Sequence, residues 1–179
     1  MNLFKHTLWQ KIALLLTVTL IALSGCASNL SNNTSQKLVA HAFSYNGWYD
    51  DPKWANQVDL LAYSYGDQYH MVRRAVKSGE QTLGYNSGVN GSMPVGEFLY
   101  VKWRIKATGE EIEDKVDLRN RLPANMFGHR ITFVIDGKQL YIYLVTPQGK
   151  ITDSPPILKT SWSSTYVTYE IYPNNTYKK

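Results

Sequence analysis

The chain is 179 residues long, with 19 Lys and Arg against 14 Asp and Glu, a formal net charge of +5 and a single cysteine. One thiol excludes an internal disulfide framework and any cysteine-rich metal site, and so mild a positive balance is no signature of a nucleic-acid binder. The length suits one domain able to bury a real core.

Lys5 and Lys11 precede an uncharged apolar run at residues 12–23, "IALLLTVTLIAL". As a helix rising ~1.5 Å per residue this run covers roughly 18 Å, well short of a ~30 Å hydrocarbon core. A basic start followed by a short apolar run predicts an export signal over residues 1–25, which then takes no part in the fold. The run leads into Leu23-Ser24-Gly25-Cys26, which resembles the lipobox of bacterial lipoproteins. That resemblance implies that Cys26 becomes the mature N-terminus, carrying a diacylglycerol thioether and an acylated amine. At ~0.8 kcal/mol per buried CH₂, several acyl chains hold far more firmly to a membrane than one does. An alkylated sulfur also removes the chain's only thiolate from nucleophilic or metal chemistry. Ala27 and Ser28 follow, with no Asp, which in the Gram-negative sorting pattern implies the outer membrane, with the body facing the periplasm. Residues 26–37 are otherwise polar and rich in Ser and Asn, a flexible tether with an r.m.s. span of about 18 Å.

From residue 38 to 179 the signals are those of a β domain. Eight runs rich in β-branched and aromatic residues follow one another: "LVAHAFSYNG", "QVDLLAYSYG", "YHMVRRAV", "EFLYVKWRIKA", "DKVDLR", "RITFVI", "QLYIYLVT" and "TYVTYEIYP". Gly, Asp, Asn or Pro separates them, and the 13 tyrosines suit strands that bury rings and send hydroxyls to the rim. In "YVKWRIK" Val101, Trp103 and Ile105 alternate with Tyr100, Lys102, Arg104 and Lys106. The first set is expected to face a core and the basic set water, so these cations read as one solvated strand face and not a nucleic-acid contact. Asp136-Gly137 is expected to form a type I′ hairpin turn. Trp162 is placed near Tyr166. Only "DPKWANQ" has the look of a short helical turn. About eight strands, no βαβ alternation and no repeat predict an all-β domain, an antiparallel sandwich or partly closed barrel.

Two stretches break the rhythm. Residues 77–96, "KSGEQTLGYNSGVNGSMPVG", read as a long glycine-rich loop with Tyr85 and Asn86 at its centre; connections of that length either bind something or float. Residues 46–56, "NGWYDDPKWAN", put Trp48, Tyr49, Asp50, Asp51 and Trp54 in a loop. Their rings either fold back onto the core or are covered by a partner.

Catalytic patterns are missing. His41, His70 and His129 belong to no H-E-x-x-H, and no acidic residue stands at a helical spacing from one of them. There is no G-x-S-x-G elbow, no phosphate-binding glycine loop and no calcium loop. The carboxylates of "GEEIED", residues 109–114, read as a solvated hairpin tip; Asp50-Asp51 alone make no acid–base pair. His41, mid-strand, and His129, in a turn, read as structural. A non-enzyme with no metal and no cofactor is expected.

The segments "FSYNG", "VDLLAYSYGD", "VKWR", "VDLRNRLP" and the G-x-x-I-x-F hairpin ending in "LYIYLVTP" span residues 43–147. Together they resemble a family of small bacterial lipoproteins encoded beside type VI secretion effectors. The resemblance implies an immunity protein against a lipase or phospholipase effector, held at the membrane where its target works, and it carries over no catalytic residue. Interface hot spots favour Trp, Tyr and Arg. The candidates for the partner surface are therefore Trp48, Tyr49, Asp50, Asp51, Trp54, Tyr85 and Asn86, with Arg119 and Arg121 as weaker ones, since Asp117 and Asp114 could pair with them locally. The competing reading is a lipid-anchored carbohydrate- or peptidoglycan-binding module that uses exposed aromatics as a sugar platform. An envelope enzyme would need a cleft joining a histidine to distant carboxylates.

Overall fold

The computed structural model describes residues 37–47, 57–67, 73–84, 86–150 and 164–178. Cys26, the export signal and the tether lie outside the described residues, as do residues 48–56, His70, Tyr85 and Trp162. Nine strands follow in order: β1 (Leu38–Asn46), β2 (Val58–Tyr65), β3 (Arg73–Ala75), β4 (Asn86–Pro94), β5 (Phe98–Ile105), β6 (Glu111–Asp117), β7 (Arg130–Asp136), β8 (Gln139–Gly149) and β9 (Tyr166–Tyr172). They make a five-stranded sheet, β4-β1-β7-β8-β9, and a four-stranded sheet, β3-β2-β5-β6. The fold is an all-β sandwich, and with two separate sheets it is not a partly closed barrel.

The alternation in β5 explains how the sheets face each other. Leu99, Val101 and Trp103 are buried, while Tyr100, Lys102 and Arg104 stand at the surface. Trp103 lies wholly inside, and its indole N–H donates to the Gly137 carbonyl at 3.0 Å, so its polar atom is satisfied. The opposite sheet sends Phe43, Tyr45, Phe133, Ile142 and Leu144 into the same core. Phe43 stacks on Tyr65 with centroids 5.0 Å apart and Tyr63 meets Phe133 at 5.9 Å, which locks β1 and β7 against β2 through rings, while Tyr45 stacks on Phe133 at 4.9 Å within the five-stranded sheet. Leu118, Leu122 and Met126, from the crossing between β6 and β7, also belong to that core. β1 and β7 run parallel, Ala42 opposite Arg130, and every other pairing is antiparallel.

The outward basic row of β5 is neutralised across strands. Lys102 and Arg104 share Glu111 at 2.7 and 2.9 Å, and Lys106 meets Asp59 at 3.3 Å. At the hairpin tips Lys138 meets Glu110 at 2.7 Å.

Three expectations are corrected. Residues 77–96 are not one long loop, because Asn86–Pro94 form β4, paired over all nine residues with β1. The segment carries almost no strand-forming side chains, and backbone pairing to a buried neighbour outweighs that local preference. "GEEIED" is a hairpin tip only at Gly109 and Glu110, since Glu111 onward belongs to β6; Arg104 pairs with Glu111 and draws the rest of the acidic run into the ladder. The β7–β8 turn is displaced by one residue: Asp136 pairs with Gln139, so Gly137 and Lys138 are the central residues, and Gly137 supplies the positive φ of 57°.

Candidate binding surface

Of the sequence candidates, Asn86, Arg119 and Arg121 fall among the described residues. Trp48, Tyr49, Asp50, Asp51, Trp54 and Tyr85 lie outside the described residues. Asn46 pairs with Asn86 at one end of the β1–β4 pair.

Arg119 belongs to the other end. The Leu118 N–H donates to the Glu97 carbonyl beside the start of β5, and Tyr65, next to it across the sheet, reaches His41 near the start of β1. Arg119 also turns inward on its own strand end. Its Nε lies 3.0 Å from Asp117 Oδ1, and the pairing holds the exposed Asp117 carboxyl down at about 2 through side-chain and backbone hydrogen bonds from Arg119. Arg121 donates to the Ile171 carbonyl and lies over the Tyr172 ring, 5.5 Å from its centroid. Asp114 accepts instead from the Tyr172 hydroxyl at 2.7 Å. So the local ion pair forms for Arg119 and Asp117, whereas Arg121 and Tyr172 strap the β6 flank to β9.

A hollow elsewhere draws on residues outside the candidate set. On the outer face of the five-stranded sheet, Ala40 and Ala42 leave a shallow floor of methyl groups. The turn 127–129 rises beside them: the Gly128 N–H donates to the Ala40 carbonyl and the Ala42 N–H to the His129 carbonyl, both at 2.9 Å. Asn125 Oδ1 accepts from the Phe127 N–H at 3.0 Å, and Gly128 takes a φ of 71°, a conformation suited to glycine. That turn chemistry pushes Phe127 outward, where it is 66% exposed. The hollow holds about 370 Å³ and runs from Asn90 past Ala40 and Ala42 to Arg130, with Pro147 and Tyr166 on its far side. Burial lowers the Arg130 guanidinium pKa from its ordinary value. No Asp or Glu is among the described residues lining the hollow.

The His41 and His129 imidazoles are occupied by structure. His41 sits at the floor, 2% exposed, with Nδ1 at 2.7 Å from the Val39 carbonyl and Nε2 at 3.0 Å from the Tyr65 hydroxyl. Burial lowers its pKa, against the Val39 hydrogen bond and with a smaller push from His129. His129 Nδ1 lies 3.1 Å from the Phe127 carbonyl. Among the described residues no three His, Cys, Asp or Glu side chains come together as a metal set would. The sequence signal for this surface was a lone aromatic inside "PANMFGHR", a turn whose composition says loop and nothing about which way the ring points.

No family model matches the chain, and no curated protein or solved structure matches it.

Proposed function

We propose that the chain is a lipid-anchored guard on the periplasmic side of the outer membrane, which binds a secreted phospholipase-type effector and blocks it without chemistry of its own. The observation that carries this reading is Phe127: a large apolar ring held out in water by a hydrogen-bonded turn, at the rim of a hollow walled by Arg130. An exposed aromatic ring at the rim of a concave surface supports a binding role because aromatic and arginine side chains dominate binding hot spots. A rigid sandwich presenting such a rim suits an inhibitor that covers a substrate mouth with a standard interface of about 800 Å² per partner. The lipobox-like Cys26 adds the second element, because a tether on the membrane raises the local concentration of inhibitor where a phospholipase finds its substrate.

The test is a lipase assay with the mature chain and the effector encoded beside it. Stoichiometric loss of hydrolysis is expected, and undiminished hydrolysis at saturating protein would overturn the reading. A Cys26→Ser chain should inhibit equally in solution and protect cells poorly; equal protection would show that the anchor plays no part.

A further inference from the structure

Among the described residues two large apolar side chains stand exposed, Leu38 at 52% and Phe127 at 66%. They are distant in sequence and neighbours in the fold. Leu38 opens β1 and shares the outer face of the five-stranded sheet with Ala40 and Ala42. The turn that carries Phe127 is bonded to those same residues, its Gly128 N–H donating to the Ala40 carbonyl at 2.9 Å. β1 and β7 run parallel with Ala42 level with Arg130, so Phe127, just ahead of Arg130 in the chain, stands beside the first half of β1. Both apolar side chains therefore crown one end of the five-stranded sheet.

The two ends of the sandwich differ. β7 runs away from Leu38, so the β7–β8 turn lies at the far end, where Lys138 meets Glu110 of the β5–β6 turn at 2.7 Å, both side chains exposed. That end is a charged tip. At the Leu38 end the exposed acids Asp67, Glu97 and Asp117 stand by the ends of β2, β5 and β6, in the other sheet. The five-stranded side of this end carries Leu38, Phe127, Pro147 and, next to Leu38, an exposed Lys37.

Connectivity says what lies beyond Leu38. With Cys26 read as the lipid anchor, residues 26–37 join the acylated sulfur to β1 with an r.m.s. span of about 18 Å, whereas β1 itself extends about 30 Å at ~3.3 Å per residue. The tether delivers the Leu38 end to the membrane, and not the charged tip.

We propose that this end of the five-stranded sheet docks on the bilayer that holds the anchor: Leu38 and Phe127 enter the boundary between headgroups and acyl chains, and Lys37 stays at headgroup level. Interfacial binding scales with the apolar area buried and with attraction of cations to anionic lipid, so two side chains alone bind weakly. The tether changes that, because docking becomes intramolecular, at an effective concentration in the millimolar range. An effector that covers Phe127 must draw the ring out of lipid, so bilayer and effector compete for it. The inference rests on the reading of Cys26 as acylated, and not on the identity of the effector.

The test places the mature chain, its acyl groups confirmed by mass, on nanodiscs of phosphatidylethanolamine and phosphatidylglycerol doped with a nitroxide lipid, with no effector present. Amide NMR signals of Leu38 and of residues 127–129 should be broadened at least about fivefold more than those of Gly137 and Lys138. Leu38→Ser with Phe127→Ser, both changes at exposed positions, should erase that difference without altering Tm. Equal broadening at the two ends, which is a domain tumbling free on its tether, or stronger broadening at Lys138 would overturn the proposal. So would a double-serine chain that docks as the natural one does, or a mature chain whose mass shows no acyl group. A chain that fails to dock yet inhibits the lipase in solution would remove this contact and leave inhibition standing; one that docks and does not inhibit would do the reverse.

Discussion

His41 Nε2 and the Tyr65 hydroxyl lie 3.0 Å apart, with their rings edge-on at a centroid distance of 5.7 Å, so a histidine of one sheet is bonded to a tyrosine of the other. Nδ1, 2.7 Å from the Val39 carbonyl, can only donate there, which leaves Nε2 to accept from Tyr65. That is the neutral tautomer, and burial lowers the pKa of the ring accordingly. In the unfolded chain the imidazole takes its proton near ~6.5, and in the folded chain only at lower pH. The unfolded state therefore binds more protons in this window, and stability is lost as pH falls from about 6.5 toward the folded value. Thermal melts from pH 7.5 to 5 should show Tm falling, and His41→Gln, though less stable at pH 7.5, should show a shallower fall. Parallel slopes for the two chains would mean that His41 is not the group responsible.

Tyr143 carries a different cost. Its neighbour Ile142 enters the core, so Tyr143 points to the outer face, as does Val134 across the β7–β8 pair; both are nonetheless 0–1% exposed. Among the described residues the Tyr143 hydroxyl has no hydrogen-bond partner, and burial, with Glu170 nearby, pushes the phenol pKa above its ordinary value. An unpaired buried hydroxyl costs about 1–3 kcal/mol. Tyr143→Phe is therefore expected to stabilise, raising Tm by roughly 2–4 °C for each kcal/mol in a chain of this size. A lowered Tm in calorimetry would show that the hydroxyl makes a bond that stabilises the fold.

The Arg119–Asp117 pair should matter little to stability or inhibition. Both side chains are largely exposed, 64% and 52%, and ion pairs of that kind contribute little. Its signature is the Asp117 carboxyl itself, held at about 2 chiefly by the Arg119 side chain. In an NMR titration Arg119→Ala should move the Asp117 midpoint up toward the ordinary carboxylate range of ~3.9, while lipase inhibition stays unchanged. Because the folded pKa is the depressed one, whatever the pair contributes is present above ~3.9 and fades as pH falls toward about 2. An unmoved midpoint would mean that Arg119 is not what holds Asp117 down.

What could be read ahead of the structure was whatever depends on side-chain alternation. Val101 and Trp103 against Lys102 and Arg104 placed β5 with its inner and outer faces correct, and each of the eight predicted runs contains a strand. Sequence reading failed where backbone pairing decides. Asn86–Pro94 reads as loop because Gly88 and Gly91 hold no strand propensity, yet all nine residues pair with β1, and the ladder hydrogen bonds do not depend on the side chains. It failed also where direction decides. Arg121 and Arg119 look alike in "VDLRNRLP", but one straps β9 and the other closes on its neighbour two residues away. Nothing local to Phe127 tells an outward ring from a buried one.

Phe127 is where stability and binding should separate most cleanly. The ring is 66% exposed, and the turn beneath it is held by the Asn125 side chain and by Gly128, neither of which needs the phenyl group. Surface substitutions away from packed or capped features usually change stability by no more than about 0.5 kcal/mol. Phe127→Ala should therefore keep its Tm within a degree or two. If the ring is an interface anchor, its truncation costs about 2 kcal/mol or more, which is a loss of roughly thirtyfold in affinity for the effector. Arg130→Ala is a less direct probe, because half-buried Arg130 also packs beside Ala42 at the start of β7. Phe127→Asp sharpens the test, since the Asn125–Phe127 backbone bond does not need the ring and the substitution places a charge where an apolar anchor is expected. Calorimetry paired with an inhibition titration separates the outcomes. Full inhibition by both folded variants would move the interface away from this rim, whereas inhibition lost at unchanged Tm would fix it there.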